Sequence, residues 1–136
     1  MRIYLDSAPL IYLVENTPAY APALIERLAA PEIKQICSEL SRLECRVKPL
    51  RDGEAALLAA FDRYFAEIVA SIIPLSRPII DRATQLRARY GFKTPDAIHL
   101  AAAIAAECDL FLTNDHRLDP CVEIRVEVLS LRGKLA

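Results

Sequence analysis

Glycine is scarce in this chain, with three in 136 residues, and no stretch is rich in serine, glycine or glutamine. That composition excludes a flexible linker and argues against disorder. There is no internal repeat. No apolar run is long enough to span a bilayer: the longest weakly polar segment, Ala97 to Ala106, falls short and contains His99. The opening Met1-Arg2-Ile3-Tyr4-Leu5-Asp6 puts an acid where a signal peptide needs apolar residues. A cytoplasmic protein with no membrane association is expected. Histidine occurs twice, and the four cysteines (Cys37, Cys45, Cys108, Cys121) include no C-x-x-C pair, so a zinc site is poorly supported. Free, mostly buried thiols are expected instead. No charge of one sign dominates either, the net charge being -1, which neither demands nor forbids a nucleic-acid partner.

What the chain does have is apolar residues, 54% of the total, enough for one domain with a real core. Short apolar segments alternate with helical patterns. Ile3–Leu5 reads as a strand ending at Asp6, and Ser7 as the cap of a helix through Leu10, Ile11, Leu13 and Val14. Pro18 opens a second helix through Leu24, Ile25 and Leu28. Ile33–Cys37 is a strand, after which Ser38 caps a helix that Pro49 should stop. Asp52 caps the next helix, with Ala55–Phe65 as its body. Ile68–Leu75 reads as a buried strand. Ser76 and Pro78 open a helix ending at Gly91, and Thr94 caps another with Pro95 in its first turn. Asp109–Thr113 and Glu123–Leu129 complete the strands. This alternation predicts an α/β domain, a central and mainly parallel sheet flanked by helices. The helix from Pro95 is apolar on nearly every face and must be buried.

Four acids stand where a carboxylate is costly. Asp6 and Asp115 each follow an apolar strand, and ligands of open parallel sheets bind at the carboxyl ends of strands. Glu44 shares the i, i+3, i+4, i+7 stripe of Leu40, Leu43 and Val47, so it takes a slot expected to face the core. Neither Arg42 nor Lys48 lies on that face. Asp96 sits in the first turn of the buried helix, where the helix dipole favours it and where it can converge with Asp6. Together these acids repel, and no buried Lys or Arg is placed to neutralise them. Hard divalent cations, Mg²⁺ or Mn²⁺, suit carboxylate and water oxygens and lead to phosphodiester chemistry.

The order and spacing of four segments resemble the PIN-domain ribonucleases, and within them the VapC-type toxins of bacterial toxin–antitoxin pairs. The segments are Ile3-Tyr4-Leu5-Asp6-Ser7, Ser38-Glu39-Leu40-Ser41-Arg42-Leu43-Glu44, Thr94-Pro95-Asp96-Ala97-Ile98-His99-Leu100-Ala101 and Phe111-Leu112-Thr113-Asn114-Asp115. They span nearly the whole chain, and the last two are the most specific. The resemblance implies a metal-dependent endoribonuclease whose Asp6, Glu44, Asp96 and Asp115 hold Mg²⁺ or Mn²⁺. It further implies that Ser7, Thr113 and Asn114 hydrogen-bond the ligands or metal waters. An RNA substrate, a homodimer and a small cognate antitoxin are implied as well.

Asp119 competes with Asp115 for the fourth position, but it precedes Pro120 and reads better as a turn residue. His99, three residues after Asp96 on the same helical face, can lean toward the cleft as a base or substrate contact, but a packing or hydrogen-bonding role inside a buried helix is the better reading. Arg42 and Arg46 flank Glu44 and are candidates to hold RNA phosphates or to meet acidic residues of the antitoxin; His116 is a candidate phosphate contact. A second basic group is Arg82, Arg87, Arg89 and Lys93. Two rival readings fit parts of the pattern. One is a receiver-like Mg²⁺-binding signalling module, which explains Glu44 poorly and lacks a lysine after a late strand, Lys134 lying in the tail. The other is a PIN-type nuclease acting on DNA.

Overall fold

In the computed structural model, residues 1–129 are described; Lys134 and the rest of 130–136 lie outside them. The chain runs β1 (Arg2–Leu5), α1 (Ser7–Val14), α2 (Ala21–Arg27), β2 (Lys34–Ser38), α3 (Glu39–Arg51) and α4 (Ala55–Glu67). It continues through β3 (Ser71–Ile73), α5 (Arg77–Tyr90), α6 (Thr94–Ala105), β4 (Leu110–Thr113), a 3-10 turn (His116–Leu118) and β5 (Val126–Val128). The five strands form one sheet in the order β3-β2-β1-β4-β5, and every pair is parallel. After β3 the chain crosses back to the other side of β1. The β1–β4 boundary is thus the topological switch point, where the carboxyl ends of the strands open a crevice. Among the described residues, no helix is long and apolar enough to cross a membrane.

Strand side chains alternate between two cores, as the pleat requires. Tyr4, Ile36 and Phe111 pack with α5 and α6 on one face. Ile3, Leu5, Cys37, Leu110 and Leu112 pack with α1 to α4 on the other. Sandwiching by helices makes the central strands apolar on both faces. Helix α6 is buried along Ala97 and His99 to Ala103, as its composition requires. Alanines in this run let α6 lie close to both α5 and the sheet.

Several local expectations shift. Asp6, not Ser7, caps α1, its Oδ1 accepting from the Ser7 amide. Lys93 takes the cap position of α6 and Thr94 is its first residue. Helix α2 starts at Ala21 with Pro22 in its first turn, three residues past Pro18. Strand β3 covers only Ser71–Ile73 and is half-buried, because it lies at the sheet edge. Pro49 does not stop α3, which runs on to Arg51, and Asp52 ends that helix rather than starting the next. A single proline removes one intrahelical donor, and Pro49 is buried, so packing holds the last turn together. Gly91 ends α5 in the left-handed conformation at φ 76°, as a C-terminal glycine should.

The largest revision concerns α3. Its buried residues are Ser41, Cys45 and Pro49, whereas Leu43 and Val47 are 57% and 48% exposed. Small side chains on the inner face let α3 sit close to its neighbours, and the Ser41 hydroxyl accepts from the Ser38 amide at 3.1 Å. The larger aliphatic residues are displaced outward. Glu44 is therefore not on a Leu40-Leu43-Val47 core stripe. It lies three residues from Ser41 and one from Cys45, at the edge of the real inner face. Burial decides the energetic consequence: Leu100→Ala, at a fully buried site, should cost about 2–5 kcal/mol. Leu43→Ala should cost about 0.5 kcal/mol or less. Denaturant midpoints compare the two, and equal losses would restore the core-stripe assignment.

Candidate functional site

The chain crossover gathers all four acids at the carboxyl ends of β1 and β4. Asp6 leaves β1, Asp115 follows β4, Asp96 enters in the first turn of α6, and Glu44 projects from α3. Hydrogen bonds tie three of them together. Asp6 Oδ1 accepts from the Ser7 amide at 2.9 Å and Oδ2 from the buried Thr113 hydroxyl at 2.7 Å. The Asp115 amide donates to the same Thr113 oxygen at 3.1 Å. The Ser7 hydroxyl donates to Glu44 Oε1 at 2.7 Å. Ser7 and Thr113 thus bind the acids as expected. Asn114 does not: its amide donates to the Tyr12 hydroxyl at 2.8 Å.

Asp96 joins the group electrostatically. Burial raises its carboxyl above the ordinary aspartate value, and the charges of Asp6 and Asp115 raise it further, outweighing His99 and Arg117. Glu44 goes the other way. Burial alone would raise it, but hydrogen bonds from His99 and Ser7 hold it below the ordinary glutamate value. Asp115 is lowered chiefly by Arg117, whose guanidinium bonds both carboxylate oxygens, Nε to Oδ1 at 2.9 Å and Nη2 to Oδ2 at 2.8 Å.

The acids share a cleft but not yet a coordination sphere. Among the described residues, no three His, Cys, Asp or Glu groups stand close enough to hold one ion as they are. Glu44 Oε1 is taken by Ser7 and His99, and Asp115 by Arg117. The donor set nevertheless fits a hard cation: all-oxygen carboxylates, one of them raised by burial and by the charges of two others.

One neighbour has no counterpart in the sequence reading, and a second does more than that reading assigns it. Arg117 neutralises Asp115; its only sequence signal is a cation two residues after the acid. His99 was expected to be buried and hydrogen-bonded, and it is, at 1% exposure, but its Nε2 reaches Glu44 Oε1 at 2.6 Å and lies 3.8 Å from Asp6 Oδ1. The expected RNA contacts fare differently. Arg42 pairs with Glu39 and Arg46 with Asp62. Two residues either side of Glu44, they lie on another face of α3 and line a separate hollow with Phe65 and Ile72. They do not rim the acidic cleft. His116 is exposed beside Asp115. Asp119, exposed, ends the 3-10 turn, a turn role as expected. All four cysteines are free; burial pushes the Cys37 thiol up to about 12 and Cys108 up to about 11.

A family model for the PIN domain matches residues 3–120. The chain belongs to the PIN domain family. Curated protein sequences offer no match, but solved structures do. The crystal structure of VapBC2 from Rickettsia felis, bound to a promoter DNA fragment, superposes with a TM-score of 0.77 at 16% identity, over 94% of this chain and 98% of that one. VapC20 of Mycobacterium tuberculosis, described as a sarcin-ricin loop cleaving toxin, gives 0.70 at 17% identity, over 90% and 98%. VapBC-1 from nontypeable Haemophilus influenzae gives 0.73 at 16%, over 94% and 98%. At such identities the likeness is one of fold.

Crowding at Asp96 carries a sign that can be measured. Its folded-state value lies above the unfolded one, so ionisation weakens the fold as pH rises through that interval. Asp96→Asn should therefore raise the melting temperature of the metal-free protein at pH 7, by about 2 °C. That advantage should vanish as pH falls below about 4, where both states of the wild type are protonated. Thermal melts between pH 3 and 7 check this; a variant no more stable than the wild type at pH 7 contradicts it.

Proposed function

We propose that this PIN domain is a metal-dependent endoribonuclease, the toxin component of a type II toxin–antitoxin pair, working in the cytoplasm. The observation that carries the reading is the convergence of Asp6, Glu44, Asp96 and Asp115 at the switch point of the sheet, where Ser7 and Thr113 link three of them by hydrogen bonds. These four would hold Mg²⁺ or Mn²⁺. A divalent cation there supplies an activated water and charge neutralisation at the scissile phosphate. Asp6 is fixed from both sides by Ser7 and Thr113, so it is preorganised for an ion. Asp115 must release Arg117 to join, which frees that guanidinium beside the acids for a phosphate oxygen. A hollow of about 240 Å³ next to Asp96 is lined by Lys93, Arg117, Tyr90 and Pro120. Two cations at its wall suit a nucleic-acid backbone.

Partners follow by likeness. VapBC complexes stand among the structures sharing this fold, which favours a cognate antitoxin. Exposed Leu43, Val47 and Leu50 on α3 and a groove lined by Leu13, Val14, Tyr64 and Ile68 between α1 and α4 are surfaces for an antitoxin and for a second copy in a homodimer. The receiver-like alternative is disfavoured by topology, since its strand order is 2-1-3-4-5 and this sheet runs 3-2-1-4-5.

The test is digestion of single-stranded RNA and single-stranded DNA side by side with Mg²⁺ or Mn²⁺. RNA should be cut internally and DNA spared, and chelation should stop the reaction. Asp6→Asn and Asp96→Asn should each lower the rate by about 100-fold or more. Wild-type rates in both variants would refute the site, and preferential cutting of DNA would refute the substrate.

A further inference from the structure

His99 lies deep in the core, yet one edge of its ring touches a candidate metal ligand. We propose that His99 is a positioning residue: it grips Glu44 through Oε1 and so leaves Oε2 as the oxygen available to a divalent cation. The inference rests on the metal-site reading above and deepens it.

Both donors to Glu44 fall on the same oxygen. His99 Nε2 lies 2.6 Å from Oε1 and Ser7 Oγ 2.7 Å from it, while no hydrogen bond to Oε2 is found among the described residues. Against a carboxylate, Nε2 must be the donor. The far side of the ring is anchored as well. Nδ1 is 2.7 Å from the Tyr4 hydroxyl, which is 2.9 Å from Ser38 Oγ. Tyr4 cannot swing, because its ring stacks on Phe111 with centroids 5.3 Å apart and planes 7° from parallel. Tyr4, Ser38 and His99 are all 0–1% exposed. The sequence of contacts from β2 through β1 and α6 to α3 therefore converts a flexible surface glutamate into a fixed one.

A buried imidazole needs a partner at each nitrogen whatever its role; what sets His99 apart is that its Nε2 partner is a carboxylate of the acidic cleft. Apolar side chains fill the rest of the α6 inner face. Here both nitrogens are bonded, and no buried side-chain polar atom among the described residues is left without a partner. Metal ligands gain affinity when an outer hydrogen bond fixes their orientation, and loss of such a partner typically weakens metal binding about 10–100-fold.

The experiment is Mn²⁺ binding to the metal-free full chain, read by electron paramagnetic resonance without RNA. His99→Asn, whose amide is too short to reach Glu44, should weaken Mn²⁺ about 10–100-fold. His99→Gln, which can place an amide N–H near the Nε2 position, should restore most of that affinity. In a Glu44→Gln background, His99→Asn should cost nothing more, since the effect runs through Glu44. If His99→Asn does not fold, Tyr4→Phe serves in its place: it keeps the stack on Phe111, releases the back of the imidazole and should also weaken Mn²⁺. Wild-type affinity in the folded variant, or a loss that persists undiminished without Glu44, would overturn the proposal while leaving the metal site standing. Failure of the wild type itself to take up Mn²⁺ would overturn both.

Discussion

Repulsion among carboxylates at the carboxyl ends of β1 and β4 is the constraint around which this domain is arranged. At Asp96, burial first and then the charges of Asp6 and Asp115 raise the carboxyl, while hydrogen bonds hold Glu44 and Asp115 down. The fold tolerates the crowding by surrounding the acids with hydrogen-bond donors: the Ser7 amide and hydroxyl, the Thr113 hydroxyl and the His99 ring. Arg117 is the cation that meets one of them, from an exposed position. Such a site is stable enough to fold and still short of positive charge. That is the condition in which a divalent ion binds with large effect.

Topology does the gathering. Crossing from β3 back past β1 to β4 brings residues more than a hundred positions apart, Asp6 and Asp115, to neighbouring strand ends. The alternation of Tyr4 and Phe111 toward one core and of Leu5 and Leu112 toward the other fixes the register from which both acids emerge. The same register aims Tyr4 at His99. One strand thus serves two ends: its last residue leads into an acid of the cleft, and the residue before supports, through His99, a second acid.

Much of this was legible along the chain. Strands ending in Asp6 and before Asp115, a helix buried on almost every face after Thr94-Pro95, and a Gly91 terminator all follow from local chemistry, and the structure contains them. The placement of Asp6 and Asp115 at strand ends needed only the rule for open parallel sheets. Other features depended on tertiary distance. Leu43 and Val47 look like core residues by period alone, but the close approach of α3 selects the small Ser41 and Cys45 for the inner face. Pro49 reads as a stop until its burial is known. Arg42 and Arg46 are near Glu44 in sequence and on a different helix face in space. The links from His99 to Glu44 and to Tyr4 span 55 and 95 residues, and no local pattern announces them.

Crystals of the full chain grown with Mn²⁺, examined by anomalous diffraction, measure the proposed metal site most directly. A manganese peak within about 2.5 Å of carboxylate oxygens of Asp6 and Asp96, with Glu44 Oε2 turned toward it and Arg117 moved off Asp115, is the predicted result. Density showing Mn²⁺ elsewhere on the protein, with the four acids still bonded only to Ser7, Thr113, His99 and Arg117, would contradict it.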